Sequence, residues 1–258
     1  INVSNYTQHS GNVIAGAEAG KAISADSFVI NGGSINANSS DFGIFSNGNI
    51  TINGGNVIAG VDFGKAISAN SITINGGSIN ANSKDYGIFT TGDMNINGGS
   101  IHVTSNNFGI YTKEDMNING GNVTASVYHP SMFWCGLSGE NNIIINGGTV
   151  ESNGIYTFNN IILGFTKISD HIHANYYTAR DGTVSVKNGE AFYYENGNET
   201  VVISNTLTTE EIAAIGGKTL WPYIDPCTVP FNLEATDIGA TTATLYWMGW
   251  TEQYEVMY

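Results

Sequence analysis

The sequence predicts an all-β protein, most of it a parallel β-helix with about 22 residues per coil. Three observations carry this expectation. The words Ile-Asn-Gly-Gly begin at Ile30, Ile52, Ile74, Ile96 and Ile118, one every 22 residues, and a sixth copy begins at Ile145, 27 residues on. A fixed period in this range marks an array of stacked units, each touching only its neighbours. The unit is too short for paired helices. It is also rich in Gly, Asn and β-branched residues, which disfavour helix and favour strands and turns. Finally, apolar residues align down the period: Val13, Ile35, Val57, Ile79, Ile101 and Val123 fall in one column, and Phe28, Ile50, Ile72, Met94 and Met116 in another.

Each element of the unit follows from its residues. One unit holds three strand-like runs: NITI (residues 49–52), NVIA (56–59) and GKAIS (64–68). Gly54 and Gly55 supply positive φ at the corner between the first two. Three short strands and three corners make one turn of a triangular coil, which pairs with copies of itself about 4.8 Å above and below. The two columns above and the Ile30 to Ile118 column are then interior stacks, and the smaller column from Ala15 to Ala125 fits a tapering corner. Asn31, Asn53, Asn75, Asn97 and Asn119 form a ladder in which stacked amides bond to one another. Two coil types alternate: one carries GKAIS, the other DFGIF, DYGIF or NFGIY. Tandem duplication extends a flat wall by whole coils.

Outward columns of such walls are candidate binding surfaces. Counting by 22 groups Ile23, Phe45, Ile67, Phe89 and Tyr111 in one column, expected to face outward if Ile44, Ile88 and Ile110 face inward. Phe45 and Phe89 then lie two coils apart, about 9.6 Å, close to a disaccharide repeat, and aromatic faces suit the C–H surfaces of pyranose rings. The competing reading is that these rings pack under loops or on one another. Phe42, Tyr86 and Phe108 form a second such column. The insert of five residues lies in SVYHPSMFWCGLSGENN (126–142), which brings Tyr128, His129, Phe133 and Trp134 to a loop. Loops on rigid scaffolds often carry binding, so Tyr128 and Trp134 are expected to wall the far end of a platform made by Phe45, Phe89 and Tyr111. A lid over the core is the alternative.

Acidic residues outnumber basic ones 22 to 8, giving a net charge of −14. Phosphate contacts need Lys and Arg, so nucleic acid is not expected as a partner. Asp93 and Asp115 should sit about 5 Å apart on neighbouring coils, with Glu114 adjacent. Stacked carboxylates repel unless protonated or bridged, which makes these three the candidate Ca²⁺ ligands. No stretch is long and apolar enough to suggest membrane insertion. Cys135 and Cys227 fit neither a disulfide framework nor a zinc pattern, and whether they pair is left open. Catalytic signals are thin. Arg180 is the single arginine, Lys21 and Lys65 stand away from any carboxylate cluster, and DHIH (170–173) offers only one histidine pair.

Three regions are expected: the β-helix over residues 1–164, a C-terminal cap over 165–225, and a different unit over 226–258. The cap should hold a hairpin turning at Asn196-Gly197 and a short helix, with Thr208 and Glu211 as capping box and Gly216 as stop.

Two family resemblances follow from particular residues. GDMNINGGSIHV (92–103) and GIYTKEDMNINGG (109–121) resemble the bacterial carbohydrate-binding right-handed parallel β-helix family, whose coils repeat a Gly-Ile strand, an acidic or Gly turn, I-x-I-x-G-G and a β-branched strand. The resemblance covers roughly residues 10–164. It implies a pectate-lyase-like fold without the catalytic set, bound Ca²⁺, and cellulose-like or pectin-like ligands. This chain departs from the family by placing Phe45, Phe89 and Tyr111 after Gly-Ile, where polar or basic residues are common. Residues 226–258 resemble the opening strands of a fibronectin type III domain, with Pro230 and Leu233 before a strand, TTATLYW with Trp247, and YEVMY with Tyr254, Val256 and Tyr258. That segment covers about three of seven strands. Together the resemblances imply a secreted or surface-attached bacterial protein, and the chain reads as a piece of something longer. The functional expectation is a non-catalytic extracellular protein that binds a plant or host polysaccharide. An adhesin or stalk with a protein partner is the alternative, and a polysaccharide lyase or hydrolase the third reading.

Overall fold

The computed structural model describes residues 1–130 and 134–224, and beyond these the backbone of three further strands. The chain winds as a parallel β-solenoid of about eight coils. Each coil contributes one short strand to each of three faces. Face one runs from Asn12–Ala17 and Ser34–Ser39 through Asn56–Val61 to His171–Ala174. Face two runs from Phe42–Ser46 and Lys65–Ala69 to Tyr177–Ala179, and face three from Asn49–Ile52 and Ser71–Ile74 to Val184–Val186. The long strand Lys21–Ile30 serves faces two and three together, so those two faces form one continuous sheet.

The core is a set of axial stacks. Ile30, Ile52, Ile74, Ile96, Ile118 and Ile145 pair coil to coil in one column, followed by Leu163 and Val186. All are buried. The Val13-to-Val123 and Phe28-to-Met116 columns hold in the same way, and both continue into the last coils. Parallel stacking runs past residue 164, through Thr149–Ser152 on His171–Ala174 and Ile161–Leu163 on Val184–Val186. The sequence period therefore ends before the coils do.

The glycine corner works as its residue types require. Gly55 has φ 88°, and a Cβ there would stand 2.8 Å from the Gly33 carbonyl oxygen one coil away. Only glycine lets the corners stack at coil spacing. Beside it the asparagine ladder is complete: Asn53 Nδ2 donates to Asn31 Oδ1 at 2.7 Å, and Asn75, Asn97, Asn119 and Asn146 each donate to the one before at 2.8 Å.

One expectation is corrected. Ile23 and Ile67 do not share a column with Phe45. They pair with Ile44 and Ile88 and are buried, whereas Ser24 and Ser68 stand in register with Phe45. The cause is a compensated change in corner length. The path from Ala59 to Ile67 holds one residue more than that from Ala37 to Ile44, and the path from Ile67 to Ile72 one fewer than that from Ile44 to Ile50. The period stays at 22 residues while the face-two strand slides by one. The coil of Ile23 behaves like the coil of Ile67.

Beyond the last coil, Lys218–Pro222 pairs antiparallel with His171–Ala174, and the hairpin of Ala191–Asn196 with Glu199–Ser204 adds to it. Gly197 has the positive φ expected at its turn. Helix Thr209–Ile215 carries the capping box of Thr208 and Glu211. Phe192, Ile215 and Leu220 are fully buried and belong to the solenoid core cluster. Strands Phe231–Thr236, Thr242–Met248 and Tyr254–Met257 form a single antiparallel sheet, which does not by itself make the two-sheet sandwich of a fibronectin type III domain.

Ile74→Asp places an unpaired charge in a dry stack. We expect it to cost at least about 4 kcal/mol, read as a large drop in urea midpoint. An unchanged midpoint contradicts the column assignment.

Candidate functional site

Face two is where aromatic side chains gather. In each strand the residue before the inward Ile is Gly or Ala, because it too turns into the core: a Cβ on Gly43 would lie 2.8 Å from the carbonyl oxygens of Ala37 and Ala66. The residues on either side of this small-Ile pair face out. Two outward columns result. The first is Lys21, Phe42, Lys65, Tyr86 and Phe108; the second is Ser24, Phe45, Ser68, Phe89 and Tyr111.

The rings are half-buried and engage one another. Phe89 and Tyr111 lie parallel at 5.7 Å, Tyr86 and Phe108 at 5.0 Å, and each short-corner coil adds an edge contact, such as Phe42 on Phe45 at 5.2 Å. A centroid distance of 5.7 Å suits an offset stack. The Phe89 and Tyr111 rings thus overlap in part along the axis and leave less than their full faces to solvent. Lysines occupy further ring faces. Lys21 Nζ sits 3.2 Å from the Phe45 centroid, and Lys65 Nζ lies 4.2 Å from Phe89, 5.4 Å from Tyr86 and 5.7 Å from Phe42. Ser68 is consequently buried between Phe45 and Phe89. The alternation of cation and ring was missed in the sequence, although Lys21 and Lys65 repeat 44 residues apart like Phe42 and Tyr86.

Tyr111 donates its hydroxyl proton to Glu140 Oε1 at 2.6 Å. Burial, then that hydrogen bond to the carboxylate, push its pKa well above the ordinary tyrosine value. Tyr128 and Trp134 are both exposed, at 66% and 45%. Tyr128 borders a groove at the corner between faces one and two. The Trp134 carbonyl accepts a hydrogen bond from Tyr176, which ties the insert to a later coil. Phe133 lies outside the described residues. Cys135 is a buried free thiol whose pKa burial raises to about 12. The side chain of Cys227 lies outside the described residues.

Asp93 and Asp115 stand on adjacent coils, and each is engaged. Asp93 Oδ1 accepts from the Asp115 amide at 3.3 Å, and Asp115 Oδ1 accepts from the amide and side chain of Asn142 at 3.1 and 3.0 Å. Asn142 and Asn160 continue this ladder, bonding the amides of Asn160 and Thr183. Among the described residues no three His, Cys, Asp or Glu side chains come together in a way that could hold a metal ion. In DHIH, Asp170 accepts from the amides of Thr166 and Lys167, a local structural use. His171 and His173 point out of face one, toward Glu151 and Thr219 respectively.

No protein-family model, no curated protein and no solved structure matches this chain. The face-two wall and the corner beside it therefore have to be read from their own chemistry.

Cation–ring contacts of partly exposed groups stabilise by roughly 1 kcal/mol. Lys65→Gln keeps most of the stem and removes the ammonium that touches three rings. It should lower stability by about 1 kcal/mol in a urea melt. A melt that superimposes on wild type contradicts a cohesive role for Lys65.

Proposed function

We propose that this chain is a non-catalytic, surface-exposed or secreted bacterial protein that binds a plant or host polysaccharide along the aromatic and lysine wall of face two. The observation that carries the reading is the wall itself: ring edges of Phe42, Phe45, Tyr86, Phe89, Phe108 and Tyr111, interleaved with Lys21 and Lys65, repeat along one rigid axis. Contiguous outward apolar surface is uncommon without a partner. Sugars present both C–H surface, which packs on ring edges and lysine stems, and hydroxyls, which bond to ammonium groups and to Glu140. Each added coil adds contact to a ligand that is itself a repeat. In this reading the residues that follow the last coil cap the far end of the solenoid, a role supported by the antiparallel strand Lys218–Pro222 on its last face-one strand. The fibronectin-like segment would be one module of a longer surface chain.

A second reading, an adhesin or stalk with a protein partner, is favoured by one specific feature. Ring faces are already shared between neighbours and lysines, as a cohesive wall would have them.

The test is retention on insoluble cellulose, pectin and host glycans. Wild type should be retained on at least one of them, and Phe89→Ala should weaken retention by about fivefold, the equivalent of ~1 kcal/mol, with an unchanged fold. If wild type is retained on none, the stalk reading replaces this one. Release of products from polygalacturonate or β-glucans would establish the enzyme reading.

A further inference from the structure

The corner between faces one and two has an uneven outline, and its cause is the same one-residue change that shifts the face-two strands. In the coils of Ile23 and Ile67 this corner is longer. Its extra residue forms ridges at Glu18 and at Asp62-Phe63, and Phe63 stands 64% exposed with Lys84 Nζ 5.0 Å above its ring. Two clefts follow. One, of about 480 Å³, runs between the ridges and is lined by Gly16, Glu18, Asn38, Ser40 and Asp62 among others. The other, of about 430 Å³, runs from the second ridge past Asn82, Lys84 and Asn106 to Tyr128. Asn38, Ser39 and Asp62 line both, so the clefts join into one shallow groove parallel to the solenoid axis.

The lining sorts into fixed and available groups. Ser39 and Ser83 donate their hydroxyl protons to Gly20 and Gly64 carbonyls and accept from the Asp41 and Asp85 amides, so they hold the corner. Asn82 and Asn106 have no side-chain hydrogen-bond partner among the described residues, which leaves each amide with donors and an acceptor to offer. Asn38 sits two coils from Asn82, about 9.6 Å, and its Nδ2 already donates to Asn36 Oδ1 at 2.7 Å, which leaves its carbonyl oxygen to accept. Tyr128 closes the end of the groove with most of its ring open. Lys84 is paired with Asp62 at 3.8 Å, while Glu18 adds further negative charge.

On the reading that this protein binds polysaccharide along face two, we propose that the corner groove beside that wall holds a further stretch of the same glycan, and that the glycan is neutral. Spaced amides matching sugar hydroxyls, an aromatic terminus and axial length describe an elongated hydroxyl-rich ligand. Two carboxylates against one lysine, on a chain of net charge −14, oppose a polyuronate. Tyr128, in the segment that carries the insert, is the last groove residue along the axis and ends the track.

The experiment is titration calorimetry with cellohexaose, xylohexaose, mannohexaose and hexagalacturonate, beside retention on the insoluble polymers. At least one neutral hexasaccharide should bind more tightly than hexagalacturonate. Tyr128→Ala and Asn82→Ala, both surface changes checked by thermal melts, should each weaken it fivefold or more. If groove variants bind as wild type does while Phe89→Ala loses binding, or if hexagalacturonate binds best, the groove proposal is overturned and the wall reading stands. Retention on polymers without binding of any neutral hexasaccharide overturns it in the same way. No binding to any glycan overturns both.

Discussion

Backbone hydrogen bonds between successive coils set the position of every other group in this molecule. Each strand pairs in parallel with the strand of the next coil, so a side chain's axial neighbour is its counterpart one turn on. A choice made once is thereby repeated: Ile on Ile in the core, Asn on Asn at the corner, ring on ring on face two. The asparagine ladder and the Asp93, Asp115, Asn142 and Asn160 ladder reinforce this register from outside, bonding amides that would otherwise compete for water. Glycine at the shared corner is the condition for it, since any Cβ at Gly55 or Gly77 would meet the backbone of the coil before.

Within that constraint, variation is confined to the corners. Lengthening one corner and shortening the next leaves the stack intact and moves only what faces outward. The long-corner coils present Lys and Ser where the short-corner coils present rings, and the same residue raises the ridges that shape the groove. Wall and groove are two consequences of one alternation. They lie side by side because Phe42, Tyr86 and Phe108 open strands that leave the groove's own corner.

The interior was legible because it is anchored on Ile-Asn-Gly-Gly, whose spacing and geometry coincide. Face two was not read correctly, because counting by 22 cannot detect two length changes that cancel. The signal that resolves it was present: Ala22-Ile23, Gly43-Ile44, Ala66-Ile67, Gly87-Ile88 and Gly109-Ile110 are one small-Ile pair repeated, and aligning on it puts Lys21 and Lys65 among the rings. Tyr128 was singled out for a platform, but its position along the groove depends on how far each corner protrudes, which no spacing encodes. The carboxylates at Asp93 and Asp115 were read as repelling one another. Backbone amides of the next coil supply the partners that sequence could not show.

The central claim is that the face-two strand slides by one residue in the coils of Ile23 and Ile67. Paired cysteines test it directly, since stacked positions in neighbouring coils lie within disulfide reach. In a Cys135→Ala, Cys227→Ser background, Phe45→Cys with Ser68→Cys should cross-link readily under mild oxidation, because those positions are in register. Phe45→Cys with Ile67→Cys, the pair that a strict 22-residue count selects, should not, because Ile67 faces the core. Cross-linking of the second pair in place of the first would contradict the account.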